Sequence, residues 1–203
     1  MIASIQAWLS TIAVSFDLPI LDWIQAHLSC TFLDKTMPII TLFGDGGIFW
    51  IAVAVALLFF PKYRKTGLAM GVALVLGVVV CNITMKPIIA RIRPYDYQLQ
   101  YFGRDIPMLI AKQHDFSFPS GHTIASFEAC TVLQLNDKRF GIPAIILAVL
   151  IAFSRLYLYV HYPSDVIFSF FAGILFGILG NLIVNAFWKK HPLVRVGKYE
   201  RIE

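Results

Sequence analysis

A histidine and an aspartate four positions apart form the pair in this sequence with the clearest capacity for chemistry. His161 and Asp165 flank Pro163, which breaks the chain and can open the next helix at its first turn. Across that turn the carboxylate can orient the imidazole and stabilise its charge, as beside a histidine that forms a covalent intermediate. An interfacial histidine with Asp165 as a helix cap is the structural alternative. The spacing predicts a nucleophile and its orienting group, with that alternative open.

Two cations, Lys86 and Arg93, stand seven positions apart and are followed by Pro94. Seven residues are close to two helical turns, so a helical segment would place both cations on one face. Fixed cations that face one way suit a dianion such as phosphate. Arg155 adds a third cation six residues before His161. An ordinary basic membrane flank that stops at a proline is the competing interpretation of the first two.

The stretch Phe118–His122 opens a helix that we predict over 120–136. Ser120 is well placed as an N-cap, and Gly121 lets a ligand approach the backbone closely. Free N–H groups at a helix N-terminus bind anions such as phosphate, and His122 would lie in the first turn beside that anion. A capped helix with an incidental histidine is the alternative.

The composition indicates that these motifs belong to a membrane protein. Of 203 residues, 58% are hydrophobic and 14% are charged, whereas a soluble domain carries about 25% charged residues. The bilayer is therefore the expected solvent, and the net charge of +5 bears on topology rather than on nucleic acid, which we do not expect as a partner. The three cysteines lie far apart, and neither CxxC nor HExxH occurs, so no disulfide framework and no metal site are predicted.

We predict an all-α fold, a polytopic membrane bundle of five core transmembrane helices in one domain over 1–203. The predicted spans are 46–61, 66–85, 120–136, 140–160 and 166–188. The catalytic bundle would cover 46–188 and a cytoplasmic tail 189–203. Glu128 lies inside the third span, where a polar group is expensive; we favour a buried structural role over tuning of the phosphate site.

The N-terminal segment 1–45 is predicted to contribute interfacial helices or one short extra span. Residues 1–16 fit an amphipathic interfacial helix or a sixth transmembrane helix, and we favour the interfacial helix. Residues 20–43 are predicted to form one or two further interfacial helices. The first basic residue is Lys35, so a signal peptide is not expected.

Basic residues predict the orientation in the membrane. Ten lysines and arginines fall on one predicted side and seven on the other. The positive-inside rule places the short loops 61–65 and 137–139 in the cytoplasm. The long loop 86–119 and the turn that carries His161 would then lie outside, at the surface of the cell membrane.

Taken together and in this order, the motifs K-x6-R-P, P-S-G-H and S-R-x5-H-x3-D resemble those of the type 2 phosphatidic acid phosphatase (PAP2) family, which shares them with vanadium haloperoxidases. Every signature position has a match in this chain, including Ser154 in the last motif. The resemblance covers the five predicted spans, from about residue 46 to residue 188. It carries no signature in the N-terminal segment or the tail.

The resemblance implies a role for each motif residue. His161 would attack phosphorus and form a phosphohistidine, while Asp165 would hold its tautomer and stabilise the imidazolium. His122 would act as the general acid for the leaving oxygen, and water would then release phosphate. The phosphoryl oxygens would be bound by Lys86, Arg93, Ser120, the Gly121 N–H and Arg155. Three fixed cations can replace Mg²⁺, so turnover without metal or cofactor is expected.

The implied substrate is a phosphate carried by a lipid of the bilayer. Undecaprenyl pyrophosphate is favoured, with phosphatidic acid and phosphatidylglycerol phosphate as alternatives, and the loop 95–118 would shape the entrance. A lipid or anion transporter would have no need for His122 or the His161–Asp165 pair. A vanadium haloperoxidase would have no need for apolar spans. The sequence predicts no oligomeric state.

Overall fold

Helices make up the regular structure of this protein, whose computed structural model describes residues 2–190, with no strand among them. The α-helices of this part of the chain are α1 (Ile2–Ile12), α2 (Leu18–Leu28), α3 (Thr31–Leu42), α4 (Ile48–Leu58), α5 (Arg64–Gly77), α6 (Lys86–Ile89), α7 (Pro94–Phe102), α8 (Gly121–Asn136), α9 (Lys138–Tyr157) and α10 (Pro163–Lys190). Ala13–Asp17 and Val78–Met85 are π-helical, and Asp45–Gly47 is a 3-10 turn. The predicted all-α fold is confirmed. Most of the predicted tail lies outside the described residues.

Five helical segments between residues 2 and 190 are long and apolar enough to cross a membrane. They are Gln6–Leu28, Thr31–Leu58, Arg64–Phe102, Lys138–Tyr157 and Pro163–Lys190. The predicted number is confirmed, but the set differs. The predicted span 120–136 forms α8, whose 16 residues reach only about 24 Å, against a hydrocarbon core of about 30 Å. The segment Gln6–Leu28 takes its place in the set.

The N-terminal segment is more continuous than the sequence suggested. Residues 2–28 form one helical run with a π-helical turn in the middle, and α3 continues through Asp45–Gly47 into α4. Gly46 and Gly47 have φ values of +55° and +68°, which glycine adopts readily and which kink this segment. The choice between an interfacial helix and a sixth span for residues 1–16 remains a prediction.

The short helix α8 occupies the centre of the bundle and packs against α5, α9 and α10. Two glycines of α10 allow this approach. A Cβ atom on Gly173 would lie 2.7 Å from Cβ of Phe127, and one on Gly177 would lie 2.7 Å from Cβ of Thr131. The close packing surrounds α8 with other helices, which explains how a helix too short to span the bilayer occupies the middle of the bundle.

A second apolar cluster joins the N-terminal helices to the turn between α9 and α10. Leu21 and Ile24 of α2 are buried in this cluster with Tyr157 and Val160. The N-terminal segment therefore packs directly on the turn that carries His161.

We expect Gly173→Ala to lower the free energy of unfolding by roughly 1–3 kcal/mol, because the new methyl group would overlap α8. At roughly 2–4 °C per kcal/mol for a chain of this size, the loss is measurable as a lower Tm in detergent. Gly71→Ala in α5 is the matched control, since a Cβ atom there meets nothing within 4 Å. An equal Tm for the two variants would contradict the close contact between α8 and α10.

Candidate active site

The three predicted motifs meet around one cavity of about 210 Å³ at one end of the bundle. Its walls come from the turn before α4, from α4 to α6 and the segment up to Arg93, from the loop before α8, from α8 itself, and from the end of α9 with the turn that follows it. The chemically active residues among those that line it are Asp45, Asn82, Lys86, Arg93, Asp115, His122, Glu128, Arg155 and His161. Six of the eight predicted site residues line the cavity, namely Lys86, Arg93, Gly121, His122, Arg155 and His161. Ser120 and Asp165 lie behind its wall.

His161 is buried in the turn between α9 and α10, with 2% of its surface exposed. Its Nε2 lies 3.3 Å from Nη1 of Arg93. Its Nδ1 lies 3.6 Å from Oδ2 of Asp165 and has no hydrogen-bond partner among the described residues. Burial, followed by the charges of Arg93 and Arg155, holds the pKa of His161 well below its ordinary value. The imidazole is therefore neutral, which leaves a ring nitrogen with a free lone pair.

The turn that carries His161 is fixed from two sides. Tyr159 adopts a φ of +58°, a region that residues other than glycine rarely occupy. Its hydroxyl donates to Oδ1 of Asp22 at 2.8 Å and accepts from Nε2 of Gln98 at 2.9 Å. Helices α2 and α7 therefore determine where the histidine points.

Asp165 lies in the first turn of α10, which begins at Pro163 as predicted. Its carboxylate accepts from the Tyr162 N–H at 3.1 Å and closely from Oγ of Ser117 and Nη1 of Arg91. The predicted neighbour of His161 is present, but it is held mainly by Arg91. The Asp165 carboxylate is therefore fixed beside the ring, with its Oδ2 3.6 Å from Nδ1 of His161.

The cations Lys86 and Arg93 meet as predicted, although the predicted reason is wrong. They do not share one helical face, because α6 ends at Ile89 and Ala90 has a φ of +49°. The chain is non-helical from there to Arg93, which precedes α7. A sharp turn, rather than helical periodicity, brings the two side chains together.

The Asp115 carboxylate occupies the space between these two cations. Nζ of Lys86 lies 2.5 Å from Oδ2, and Nη2 of Arg93 donates to Oδ1. Arg93 also donates from Nε to the Asp115 carbonyl at 2.8 Å. Burial alone would raise the pKa of Asp115, but the hydrogen bond from Lys86 and the charge of Arg93 hold that pKa well below its usual range. Two cations aligned for an anion are thus paired with a carboxylate of the chain itself.

Arg155 supplies the third cation and is 2% exposed. Its Nη1 donates to Oγ1 of Thr41 at 2.6 Å, and its Nε has no partner in the part of the chain that the structure describes. A buried guanidinium with an unused donor is poised to bind an acceptor in the cavity. Helix α3, to which we assigned no site residue, orients it through Thr41.

Ser120 is confirmed as the N-cap of α8, since its Oγ accepts from the Thr123 N–H at 3.5 Å. Its own N–H donates to Oγ of Ser169 at 2.8 Å. Gly121 lines the cavity and Ser120 does not. Asn82 lies close to Gly121, since a Cβ atom on Gly121 would be 3.3 Å from Oδ1 of Asn82. The start of α8 therefore faces the cavity through Gly121.

His122 lies in the first turn of α8, under the loop that precedes α4. A Cβ atom on Gly44 would come within 2.8 Å of Cδ2 of His122 and of Cγ2 of Ile151. Only glycine allows the loop to pack this closely on the ring. The glycine-rich run at 44–47 was a signal for such an approach that our sequence analysis did not use.

Glu128 lies at the inner end of the cavity and is 1% exposed. A Cβ atom on Gly77 would lie 2.0 Å from its Oε1, so the carboxyl group packs against the backbone of α5. Oε1 has no hydrogen-bond partner among residues 2–190. The burial and the close contact with α5 agree with the structural role that we favoured for Glu128.

Comparisons with known proteins agree with this geometry. The sequence profile of the PAP2 superfamily matches residues 66–189. An undecaprenyl-diphosphatase of Sulfolobus acidocaldarius is 37% identical over 61% of this chain and 58% of its own length, which is less than two thirds of that relative. The crystal structure of LpxE from Aquifex aeolicus aligns with a TM-score of 0.70 at 26% identity, over 82% of this chain and 94% of that one. A transmembrane PAP2-type phosphatidylglycerolphosphate phosphatase from Bacillus subtilis aligns with a TM-score of 0.65 at 25% identity, over 98% and 95%.

We expect Asp115→Asn to strengthen the binding of inorganic phosphate, because the substitution removes an anion that competes for Lys86 and Arg93. Asp115 is half-exposed, so a gain of about 1 kcal/mol, or roughly fivefold in the inhibition constant of phosphate, is the expected size. Asp105→Asn is the control, since Asp105 lies in the same loop and, within residues 2–190, forms its ion pair with Lys112 at 3.7 Å, away from Lys86 and Arg93. Weaker phosphate inhibition in Asp115→Asn would mean that this carboxylate assists binding instead.

Proposed function

This chain belongs to the PAP2 superfamily, and we propose that it hydrolyses a lipid phosphate or pyrophosphate through a phosphohistidine at His161. The chain is a multi-pass membrane protein and a hydrolase of the PAP2 phosphatase class. One observation carries the proposed route. A buried, neutral His161 faces three cations on one side and a fixed carboxylate, Asp165, at 3.6 Å on the other.

In the first proposed step, Nε2 of His161 attacks phosphorus, the N–P bond forms and the bond from phosphorus to the leaving oxygen breaks. That oxygen takes the electron pair and a proton from His122. Burial and the charge of Arg155 lower the pKa of His122 to about 2 in the free enzyme, so His122 acts as the acid once the anionic phosphate in the cavity has raised that pKa. The ring becomes cationic as the bond forms, and the carboxylate of Asp165 stabilises it. Charge that builds on the phosphoryl oxygens is neutralised by Lys86, Arg93 and Arg155.

In the second step, water attacks the phosphorus of the phosphohistidine. His122, now neutral, accepts a proton from this water. The N–P bond breaks, its electron pair returns to Nε2 and inorganic phosphate leaves. The same two histidines thus serve both half-reactions, and the free enzyme is restored with no change in net protons on the protein.

The favoured substrate is undecaprenyl pyrophosphate, and phosphatidylglycerol phosphate is the second candidate. The relative from Sulfolobus acidocaldarius, named an undecaprenyl-diphosphatase, supports the first. The second rests on the Bacillus subtilis structure, which aligns over nearly the whole chain. Phosphatidic acid is a further alternative. A transporter would leave the His161–Asp165 pair without a purpose, and a haloperoxidase would need no membrane helices.

We place the enzyme in the cell membrane with its cavity open to the outside. The basic loops 61–65 and 137–139 lie at the opposite end of the described helices from the His161 turn, and the positive-inside rule assigns them to the cytoplasm. The headgroup of a lipid in the outer leaflet would then lie level with the three cations.

We expect the purified enzyme to release phosphate in excess EDTA, fastest from undecaprenyl pyrophosphate among the three candidate lipids. Fixed cations do the work of Mg²⁺ in this site, so chelation should leave the rate unchanged. His161→Ala should lose on the order of 10³-fold or more in kcat, while His114→Ala, an exposed histidine of the neighbouring loop, should not.

Two outcomes would count against these assignments. Activity that EDTA abolishes and Mg²⁺ restores would refute metal independence, and full activity in His161→Ala would refute the nucleophile. Right-side-out vesicles test the orientation in the same assay, because an outward cavity hydrolyses an impermeant phosphate ester without detergent.

A further inference from the structure

We infer that Asp17 and Arg91 are positioning residues for the pair His161 and Asp165. Through these two residues the N-terminal helical run 2–28 determines the net charge beside the His161 ring. The inference rests on the proposed function, since it concerns how His161 is activated. Asp17 lies outside the region matched by the superfamily profile, which begins at residue 66. Neither residue belonged to the site we predicted from the sequence.

Asp17 is a fully buried carboxylate in the π-helical turn between α1 and α2. Its Oδ2 accepts from Nη2 of Arg91 at 2.7 Å and from Oγ of Ser164 at 2.7 Å. Its Oδ1 accepts from the Ser164 N–H at 2.8 Å. A buried charge requires such pairing, and the pairing ties the N-terminal helix to the first turn of α10.

Arg91 bridges this carboxylate to that of Asp165. One arm of its guanidinium donates to Asp165 and to Oγ of Ser164 at 2.8 Å, and the other donates to Asp17. The guanidinium also stacks on the Tyr162 ring, with 3.8 Å between its carbon and the ring centroid. The planar guanidinium offers a separate nitrogen to each carboxylate, Nη1 to Asp165 and Nη2 to Asp17, whereas lysine has a single nitrogen.

The charges of these three residues explain how Asp17 affects His161, whose ring lies 3.6 Å from Asp165 and which Asp17 does not contact itself. Asp17, Arg91 and Asp165 together carry one negative charge beside the imidazole. Without Asp17, the Arg91 charge would cancel that of Asp165. The cationic ring of a phosphohistidine would then lose its counter-charge in a buried site, where Coulomb terms are large.

The electrostatic surroundings of His161 set the direction of the expected change. The charged or titratable groups that face it are Lys86, Arg93, Asp115, His122, Arg155 and Asp165. Three of these are fixed cations, so the site is already positive. Loss of Asp17 makes it more positive and lowers the pKa of His161 further. The acid limb of kcat/KM therefore moves to lower pH while kcat falls.

A purely structural role predicts something different, and Asp22 provides the comparison. Asp22 also ties α2 to the rest of the protein, since it accepts from the hydroxyl of Tyr159 at 2.8 Å and from Arg104 at 2.9 Å. It contacts neither Arg91 nor Asp165. If Asp17 only anchored the N-terminal helix, removing either carboxylate would have similar effects.

The test compares Asp17→Asn with Asp22→Asn in the full-length protein, on the substrate that wild type hydrolyses fastest. For Asp17→Asn we expect kcat to fall roughly 10- to 100-fold, as for other residues that orient a reacting group. KM should stay within about threefold, because the phosphate-binding cations do not contact Asp17. The acid limb of its kcat/KM profile should move to lower pH. Asp22→Asn alters the anchor on Tyr159 but not the charge beside Asp165, so it should leave the acid limb of its kcat/KM profile at the wild-type pH.

Wild-type kcat in Asp17→Asn would overturn the inference, as would a loss without any shift of the pH profile. If Asp17→Asn does not fold, Arg91→Lys is the deciding variant. Lysine keeps the positive charge, but it lacks the two separate nitrogens that bind Asp17 and Asp165. Unchanged kcat in Arg91→Lys also overturns the inference. Failure of the proposed function is recognised separately. In that case wild type itself releases no phosphate from any of the three lipids, or His161→Ala remains active.

Discussion

Three cations held around one buried imidazole are the constraint on which the rest of this structure depends. Lys86, Arg93 and Arg155 repel one another, and each loses hydration where it lies. The protein offsets this cost with acceptors placed at each cation. The carbonyl of Val160 accepts from Arg93 at 2.7 Å, and Thr41 accepts from Arg155 at 2.6 Å. The carboxylate of Asp115 accepts from both Lys86 and Arg93. A phosphate that enters the cavity would compete with the half-exposed Asp115 for Lys86 and Arg93.

The helices position these cations and the imidazole by holding the short non-helical turns that carry Arg93 and His161. Ala90 and Tyr159, both with positive φ, mark the two turns that bring Arg93 and His161 together. Tyr159 is held by α2 and α7, and beside Ala90 the Arg91 side chain donates to the carbonyl of Leu9 in α1, so contacts with other helices support both turns. The central α8 contributes its N-terminus, and the glycines of α10 let it come close enough to do so. Stability of the bundle and geometry of the site therefore depend on the same contacts.

The sequence predicted the residues of the site better than the way they meet. The motif residues Lys86, Arg93, His122, Arg155 and His161 do surround one cavity, because reactive residue types in an apolar chain are rare and their order is informative. The shared helical face of Lys86 and Arg93 was wrong, since a positive φ at an alanine has no signature in sequence. Arg91, Asp17 and Asp115 were missed because their partners are distant in sequence. Each of the two carboxylates that bind Arg91 lies 74 residues away from it. Asp17 alone offered a signal, as an isolated acid in an apolar stretch.

The most direct test of the central claim is to locate the covalent phosphate. Wild type should be quenched during turnover of a ³²P-labelled substrate and mapped by peptide mass spectrometry. The account predicts an acid-labile, alkali-stable phosphate on His161, present in wild type and absent from His161→Ala. Label on any other residue, or turnover without label on His161 under conditions that preserve phosphohistidine, would contradict it.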